Sequence, residues 1–109
     1  MRAKGTTVIA LTEKEFQAQV VALAKTLGYR VYHTYFSIHS ERGWPDLALF
    51  REGRFLLAEL KTDKGKVSDK QTEMLADLKA AGVEVHLWRP ADFDAIVAVL
   101  SGRVFGGEG

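Results

Sequence analysis

The stretch GWPDLALFREGRFLLAELK, positions 43–61, constrains this chain more than any other. It reads as two apolar strands, 46–50 and 54–60, joined by a tight turn around Glu52 and Gly53. Leu47 to Phe50 and Phe55 to Ala58 leave neither face of the hairpin polar, the pattern of central strands covered on both sides. A hairpin of that kind requires helices above and below it. Three ionisable residues, Asp46, Glu59 and Lys61, stand at its ends, where packing alone would not put them.

The register explains why their placement matters. A two-residue turn at Glu52-Gly53 and a four-residue loop from Arg51 to Arg54 both pair Phe50 with Phe55, Leu49 with Leu56, and Asp46 with Glu59. Directly opposed residues have Cβ atoms about 4.5–5.5 Å apart, and like charges there repel. Lys61 lies on the same face as Glu59, two residues on. Two close carboxylates on a half-buried sheet need something between them: a shared proton, or a divalent cation, for which hard oxygen ligands suit Mg²⁺ or Mn²⁺. The plainer alternative is that Lys61 neutralises the pair at a strand end. A three-residue turn would shift the register and separate the acids.

The flanking sequence predicts an αβββαβα order. Residues 12–27 form a first helix, with Thr12 and Glu15 as a capping box. Phe16, Val20, Leu23 and Leu27 form its core face and Gly28 its stop. A strand over 29–36 follows, then a loop up to the hairpin. Ser68 caps a second helix over 69–81, with Leu75 and Leu78 inward and Gly82 ending it. Residues 83–88 are the last strand, and Pro90 opens a short third helix. The segment from 54 to 88 is long enough for a parallel crossover. The expectation is an α/β fold: a mixed sheet with helices on both faces, one domain over 1–109, a core about 12–100, and a frayed tail at 101–109.

Composition narrows the chemistry. There are no cysteines, which removes disulfide scaffolds, thiolate zinc sites and cysteine nucleophiles and fits a reducing, cytoplasmic setting. No apolar run suits a signal sequence or a membrane span. Net charge is only +1, so no global basic field announces a nucleic-acid partner. Yet Lys61, Lys64, Lys66 and Lys70 crowd KTDKGKVSDK, and Arg42, Arg51 and Arg54 flank the hairpin. Such a run is a solvated loop unless it borders a site for an anion.

Pro45-Asp46, a twelve-residue gap and Glu59-Leu60-Lys61 match the PD-(D/E)XK nuclease pattern. With their context, GWPDLALF, AELKTDKGKVSDKQ and LKAAGVEVHLWRPADF, they resemble the VRR-NUC (virus-type replication-repair nuclease) family over about ninety residues. The chain looks like a small stand-alone member of the kind carried by phages, so a phage- or bacterium-encoded origin is expected. The resemblance implies a restriction-endonuclease-like fold, whose αβββαβ core agrees with the order read above. It also implies Mg²⁺- or Mn²⁺-dependent cleavage of DNA phosphodiesters to 5′-phosphate and 3′-hydroxyl ends. Stand-alone members resemble Holliday junction resolvases. By position, Asp46, Glu59 and the Leu60 carbonyl become metal ligands, and Lys61 orients or deprotonates the attacking water. Gln71 matches a glutamine that steadies the site in related nucleases; as a bare sequence position it is equally an exposed helix residue.

Related enzymes draw a further ligand from the first helix. At about 100° per residue, Glu13 falls roughly 50° from the apolar centre, Gln17 about 90°, and Glu15 about 110° on the other side. Glu15 is better explained as a cap. Glu13 enters the metal set, and Gln17 shares its edge as a weaker candidate. His33 could reach the site, although a hydrogen-bonded sheet histidine explains it as well. Ser40 and Arg42, in the loop before the motif, join Lys64, Lys66 and Lys70 as candidate DNA contacts. The leading reading is a structure-selective endonuclease on branched or junction DNA. A nicking, flap or restriction-type nuclease on the same site is the alternative, as is a DNA-binding module without catalysis. Paired cuts at a junction imply a homodimer, for which Phe93, Ile96, Val97 and Leu100, with Val104-Phe105 beyond, are the candidate face.

Overall fold

A computed structural model describes residues 10–34 and 42–102. The element order is α1 (Glu13–Thr26), β1 (Arg30–His33), β2 (Leu47–Arg51), β3 (Arg54–Leu60), α2 (Asp69–Ala80), β4 (Glu84–Trp88), a 3-10 turn (Pro90–Asp92) and α3 (Phe93–Ser101). One four-stranded sheet runs β1-β2-β3-β4. β1 with β2 and β2 with β3 are antiparallel; β3 with β4 is parallel, reached through α2. This is the expected αβββαβα mixed sheet with helices on both faces. No helix among the described residues is long and apolar enough to cross a membrane.

Alternation along the strands divides the molecule into two layers. Leu47, Leu49, Leu56, Ala58 and Leu60 point to one side and meet Phe16, Val20 and Ala24 of α1 with Ile96 and Leu100 of α3. Ala48, Leu57 and Val85 point to the other and meet Leu75 and Leu78 of α2. The two layers are unequal. The first is a closed core, while α2 shields the second only towards β3 and β4. The expectation of full cover on both faces is therefore corrected at Phe50 and Phe55, which are exposed. Ile96 and Leu100 are fully buried in the chain's own core, so they cannot serve a partner. That removes the centre of the dimer face expected on the third helix; Val104 and Phe105 lie outside the described residues.

Both long helices begin on capping boxes. Thr12 and Glu15 exchange bonds of 2.9 and 3.0 Å, as do Ser68 and Gln71 at 2.9 and 3.1 Å. Gly28 follows α1 with φ +90, the left-handed conformation that ends a helix without a Cβ penalty. The helix C-termini are closed from the hairpin. Arg51 donates to Leu27 O at 2.6 Å and Leu100 O at 3.1 Å. Arg54 donates to Val99 O at 2.6 Å and forks onto Glu84 at 2.7 and 3.1 Å. These carbonyls have no partner within their helices, and a guanidinium suits them by charge and by number of donors. Arg51 and Arg54 are thus structural clamps at the turn end of the hairpin, far from Asp46 and Glu59.

Candidate active site

The hairpin closes with a two-residue turn, pairing Arg51 with Arg54, Phe50 with Phe55 and so on to Leu47 with Ala58. One step further along that register is Asp46 opposite Glu59. Two backbone contacts hold Asp46 just before β2. Its carbonyl accepts the Thr34 amide at 2.8 Å, and the carbonyl of Pro45, itself fully buried, accepts the Thr34 hydroxyl. Gly43 completes the approach. At φ +86, a Cβ there would stand 2.4 Å from the Lys70 carbonyl, so only glycine lets the segment before Asp46 lie against the first turn of α2.

The Asp46 carboxylate turns across the hairpin and accepts the Leu60 amide through Oδ2 at 2.8 Å. The Lys61 amide points the other way, to Trp88 O at 3.0 Å. Amide and carbonyl of one strand residue leave on the same side, so the Leu60 carbonyl also faces Asp46. Glu59 is 1% exposed. Its Oε2 accepts Gln71 Nε2 at 2.6 Å and lies 3.9 Å from Lys61 Nζ. Its Oε1 is buried with no hydrogen-bond partner.

The electrostatics follow from this placement. Burial pushes the Glu59 carboxyl up to about 8; the Asp46 charge adds to that, Lys61 opposes it, and Glu13 adds a further upward push. Burial also raises Asp46, against the pull of the Leu60 amide and Lys61. Two acids that both resist ionisation hold a proton near neutral pH, or give it up to a cation. The donor set fits the latter. A buried carboxylate oxygen without a partner, a second carboxylate and a backbone carbonyl on the same side are hard oxygen donors, and Mg²⁺ commonly takes one or two carboxylates and fills its shell with water. Among the described residues, no three His, Cys, Asp or Glu side chains cluster as a metal-binding group, so what these residues offer is a pair of acids.

The structure brings Asp46, Glu59, Leu60, Lys61 and Gln71 together, with Glu13 near enough for its charge to act on Glu59. The two weaker candidates engage each other: Gln17 Nε2 and His33 Nδ1 meet at 3.3 Å. His33 pairs with Leu47, on the face opposite to Asp46 and Glu59. Lys64, Lys66 and Lys70 are exposed, as is Arg42; Ser40 lies outside the described residues. Sequence reasoning passed over Arg89. Its Nη1 donates to the carbonyls of Thr62 at 2.6 Å and Gly65 at 2.8 Å, and the Asp63 carboxylate accepts the Ala91 amide at 3.0 Å. The loop carrying Lys64 and Lys66 is tied to the end of β4 in this way. A lone arginine between a strand and a proline carries no local pattern that would have revealed it.

The VRR-NUC domain family matches residues 3–91. Among solved structures, a VRR_NUC domain protein superposes with a TM-score of 0.67 at 21% identity, covering 84% of this chain and 87% of that one. That likeness concerns the fold. A comparison with curated proteins gives no match.

Proposed function

Because the chain belongs to the VRR-NUC domain family, whose fold is of nuclease type, we propose that it is a Mg²⁺- or Mn²⁺-dependent deoxyribonuclease acting on branched DNA, in the manner of a Holliday junction resolvase. One observation carries the reading: an almost inaccessible glutamate with an unpartnered oxygen, opposed by a second carboxylate and approached by a lysine. A fold that only bound DNA would gain nothing from burying one acid against a second that repels it and the phosphates.

Asp46, Glu59 and the Leu60 carbonyl would hold the cation, with Glu13 towards its water shell. When bound, it supplies charge to polarise the scissile phosphate and to activate water. Lys61 orients the attacking water and receives or relays its proton from a position beside Glu59. Gln71 fixes the rotamer of Glu59, so the carboxylate is aimed before substrate arrives. Lys64, Lys66, Lys70 and Arg42 engage phosphates flanking the cut. In-line attack on phosphorus leaves 5′-phosphate and 3′-hydroxyl ends. A four-way junction requires two symmetric cuts and each chain carries one site, so the acting species is a homodimer.

The test is cleavage of labelled four-way junction, flap, single-stranded and duplex DNA in Mg²⁺, Mn²⁺ or EDTA. Junction cutting in paired positions, abolished by EDTA, is expected. Cutting of flaps or one-sided nicks instead would move the same site to the nicking or flap class. No cleavage of any substrate would leave a binding module.

A further inference from the structure

Lys61 follows the last residue of β3, and its ammonium must nevertheless be held at the acid pair. We propose that Arg89 is a positioning residue for Lys61, acting on it through the Thr62–Gly65 turn. Glu59 alone does not fix the lysine. Their N···O distance is 3.9 Å, too long for a hydrogen bond, so the ion pair sets no direction. A lysine on its flexible four-carbon stem samples many rotamers unless the stem is packed. Here the side chain is only 16% exposed, and the turn is what lies against it. A Cβ added at Gly65 would stand 3.6 Å from Lys61 Cδ and 2.9 Å from Thr62 Oγ1. Glycine at 65 lets the turn fold this closely onto the lysine stem.

The Gly65 amide closes the turn by donating to the Thr62 carbonyl at 3.1 Å, but one such bond leaves a surface turn free to move. Arg89 removes that freedom. Its Nη1 sits among three carbonyls: Thr62 at 2.6 Å, Gly65 at 2.8 Å and Asp63 at 3.3 Å. Both ends of the turn are thereby gripped from one point, by a group that is always charged and only donates. The arginine is itself anchored, since its amide donates to Asp92 Oδ2 and its carbonyl accepts the Asp92 amide, each at 2.8 Å. Asp63 ties the turn back a second time, accepting the Ala91 amide at 3.0 Å. The residue before Arg89 completes the arrangement: the Trp88 carbonyl accepts the Lys61 amide at 3.0 Å. Consecutive residues at the end of β4 therefore hold the lysine's backbone and, through the turn, its stem. Presenting Lys64 and Lys66 to phosphates would not require the turn to lie on Lys61. That the fixed ammonium serves cleavage rests on the nuclease reading above; the fixing itself does not.

The experiment joins NMR to kinetics on the full chain. In carbon–proton spectra of protein with labelled lysine, the Lys61 signals are those lost in Lys61→Ala. Wild type should show separate shifts for the two Cε hydrogens and an Overhauser contact from the Lys61 methylenes to Gly65 Hα. Arg89→Ala, with unchanged circular dichroism, should merge the shifts and lose the contact. Gly65→Ala, which keeps Arg89 but puts a methyl group between turn and stem, should also merge them, and it carries the test if Arg89→Ala does not fold. On labelled four-way junction with saturating Mn²⁺, Arg89→Ala should lower kcat at least about tenfold, as misplacing a reacting group does, with a smaller change in KM. In the residual cleavage left by Lys61→Ala, adding Arg89→Ala should cost no further kcat, because one residue acts through the other. Separate shifts that persist in both variants would overturn the proposal. So would full kcat in an Arg89→Ala protein that has lost the contact, or an equal loss of kcat with and without Lys61. A wild type that orders Lys61 but cuts nothing would refute the nuclease reading and leave the hold of Arg89 on the lysine standing.

Discussion

Gln71 donates from Nε2 to the buried Glu59 Oε2 at 2.6 Å while its Oε1 accepts the Ser68 amide at 2.9 Å. One side chain therefore both starts α2 and aims a candidate metal ligand. The cap also decides which way the amide points. An N–H at Ser68 can only be met by oxygen, which leaves nitrogen for the carboxylate. Gln71→Ala should lose the reciprocal half of the capping box, since the Ser68 amide loses its partner while Ser68 Oγ keeps the amide of residue 71, and weaken Mn²⁺ binding. Gln71→Glu keeps the cap but sets a third acid against Glu59. Its melting temperature should match or exceed that of the alanine variant near about pH 5 and fall below it near about pH 8.5, where like charges are fully developed. A pH-independent ranking of the two would show that the Gln71–Glu59 contact carries no weight.

The raised acids give the metal-free protein an unusual pH response. Glu59 titrates near 8 when folded against an ordinary 4.5, so as pH rises the unfolded chain releases its proton first. Stability is full below the lower value, declines across the interval by up to about 1.4 kcal/mol per pH unit, and levels off above the upper one. Asp46, shifted in the same direction, adds to the decline. Thermal melts in EDTA should show it, and saturating Mn²⁺ should reverse most of it. A flat profile from pH ~5 to ~8 would contradict the burial of Glu59 against Asp46.

Glu59→Gln tests the pair directly. The new amide can offer nitrogen to Asp46 and oxygen to Gln71, removing both the repulsion and the unpartnered atom. The variant should melt above wild type in EDTA at alkaline pH and show no Mn²⁺ heat by calorimetry. Wild-type metal affinity in this variant would place the cation elsewhere.

Lys61 separates binding from chemistry. Lys61→Ala should fold, bind Mn²⁺ and DNA, and lose cleavage by at least roughly 10²-fold, the low end for a group engaged in proton transfer. Activity within a factor of a few of wild type would make Lys61 a partner of Glu59 and nothing more.

Replacing Lys64, Lys66 and Lys70 together with glutamine should weaken DNA binding and reduce the salt dependence by up to about three counterions. Fluorescence anisotropy across a salt series measures it. An unchanged slope would leave these lysines as solvated surface. Arg89→Ala, which frees the Thr62–Gly65 turn, should produce a milder version of the same loss with the lysines intact.

The parts legible in the sequence were those with a period or a punctuation mark. Helix caps at Thr12 and Ser68, stops at Gly28 and Gly82, and the two-residue turn at Glu52-Gly53 set the element order and the register that opposes Asp46 to Glu59. Of the strand expected over 29–36, Arg30–His33 form β1, Tyr29 and Thr34 lie outside it, and residues 35–36 fall outside the described segments. The less legible parts depend on which layer a residue joins after packing. Ile96 and Leu100 look like spare surface on a short helix, yet they complete the α1 core. Phe50 and Phe55 look like core, yet α2 stops short of them. Arg51 and Arg54 look like part of a solvated basic run around the motif, yet they close helix termini. Periodicity reports that a face is apolar and says nothing about which element will cover it.

The Glu52-Gly53 turn has a consequence at the opposite end of the sheet. Asp46 belongs to one strand and Glu59 to the other, and the turn length alone sets which residue faces which. One extra residue there would slide β2 against β3 and turn Asp46 away from Glu59, unless a bulge absorbed it; two would restore the parity. For anyone grafting a tag or reshaping a loop on this scaffold, the hairpin tip is therefore a counting device: odd insertions threaten the chemistry at a distance, and even ones spare it.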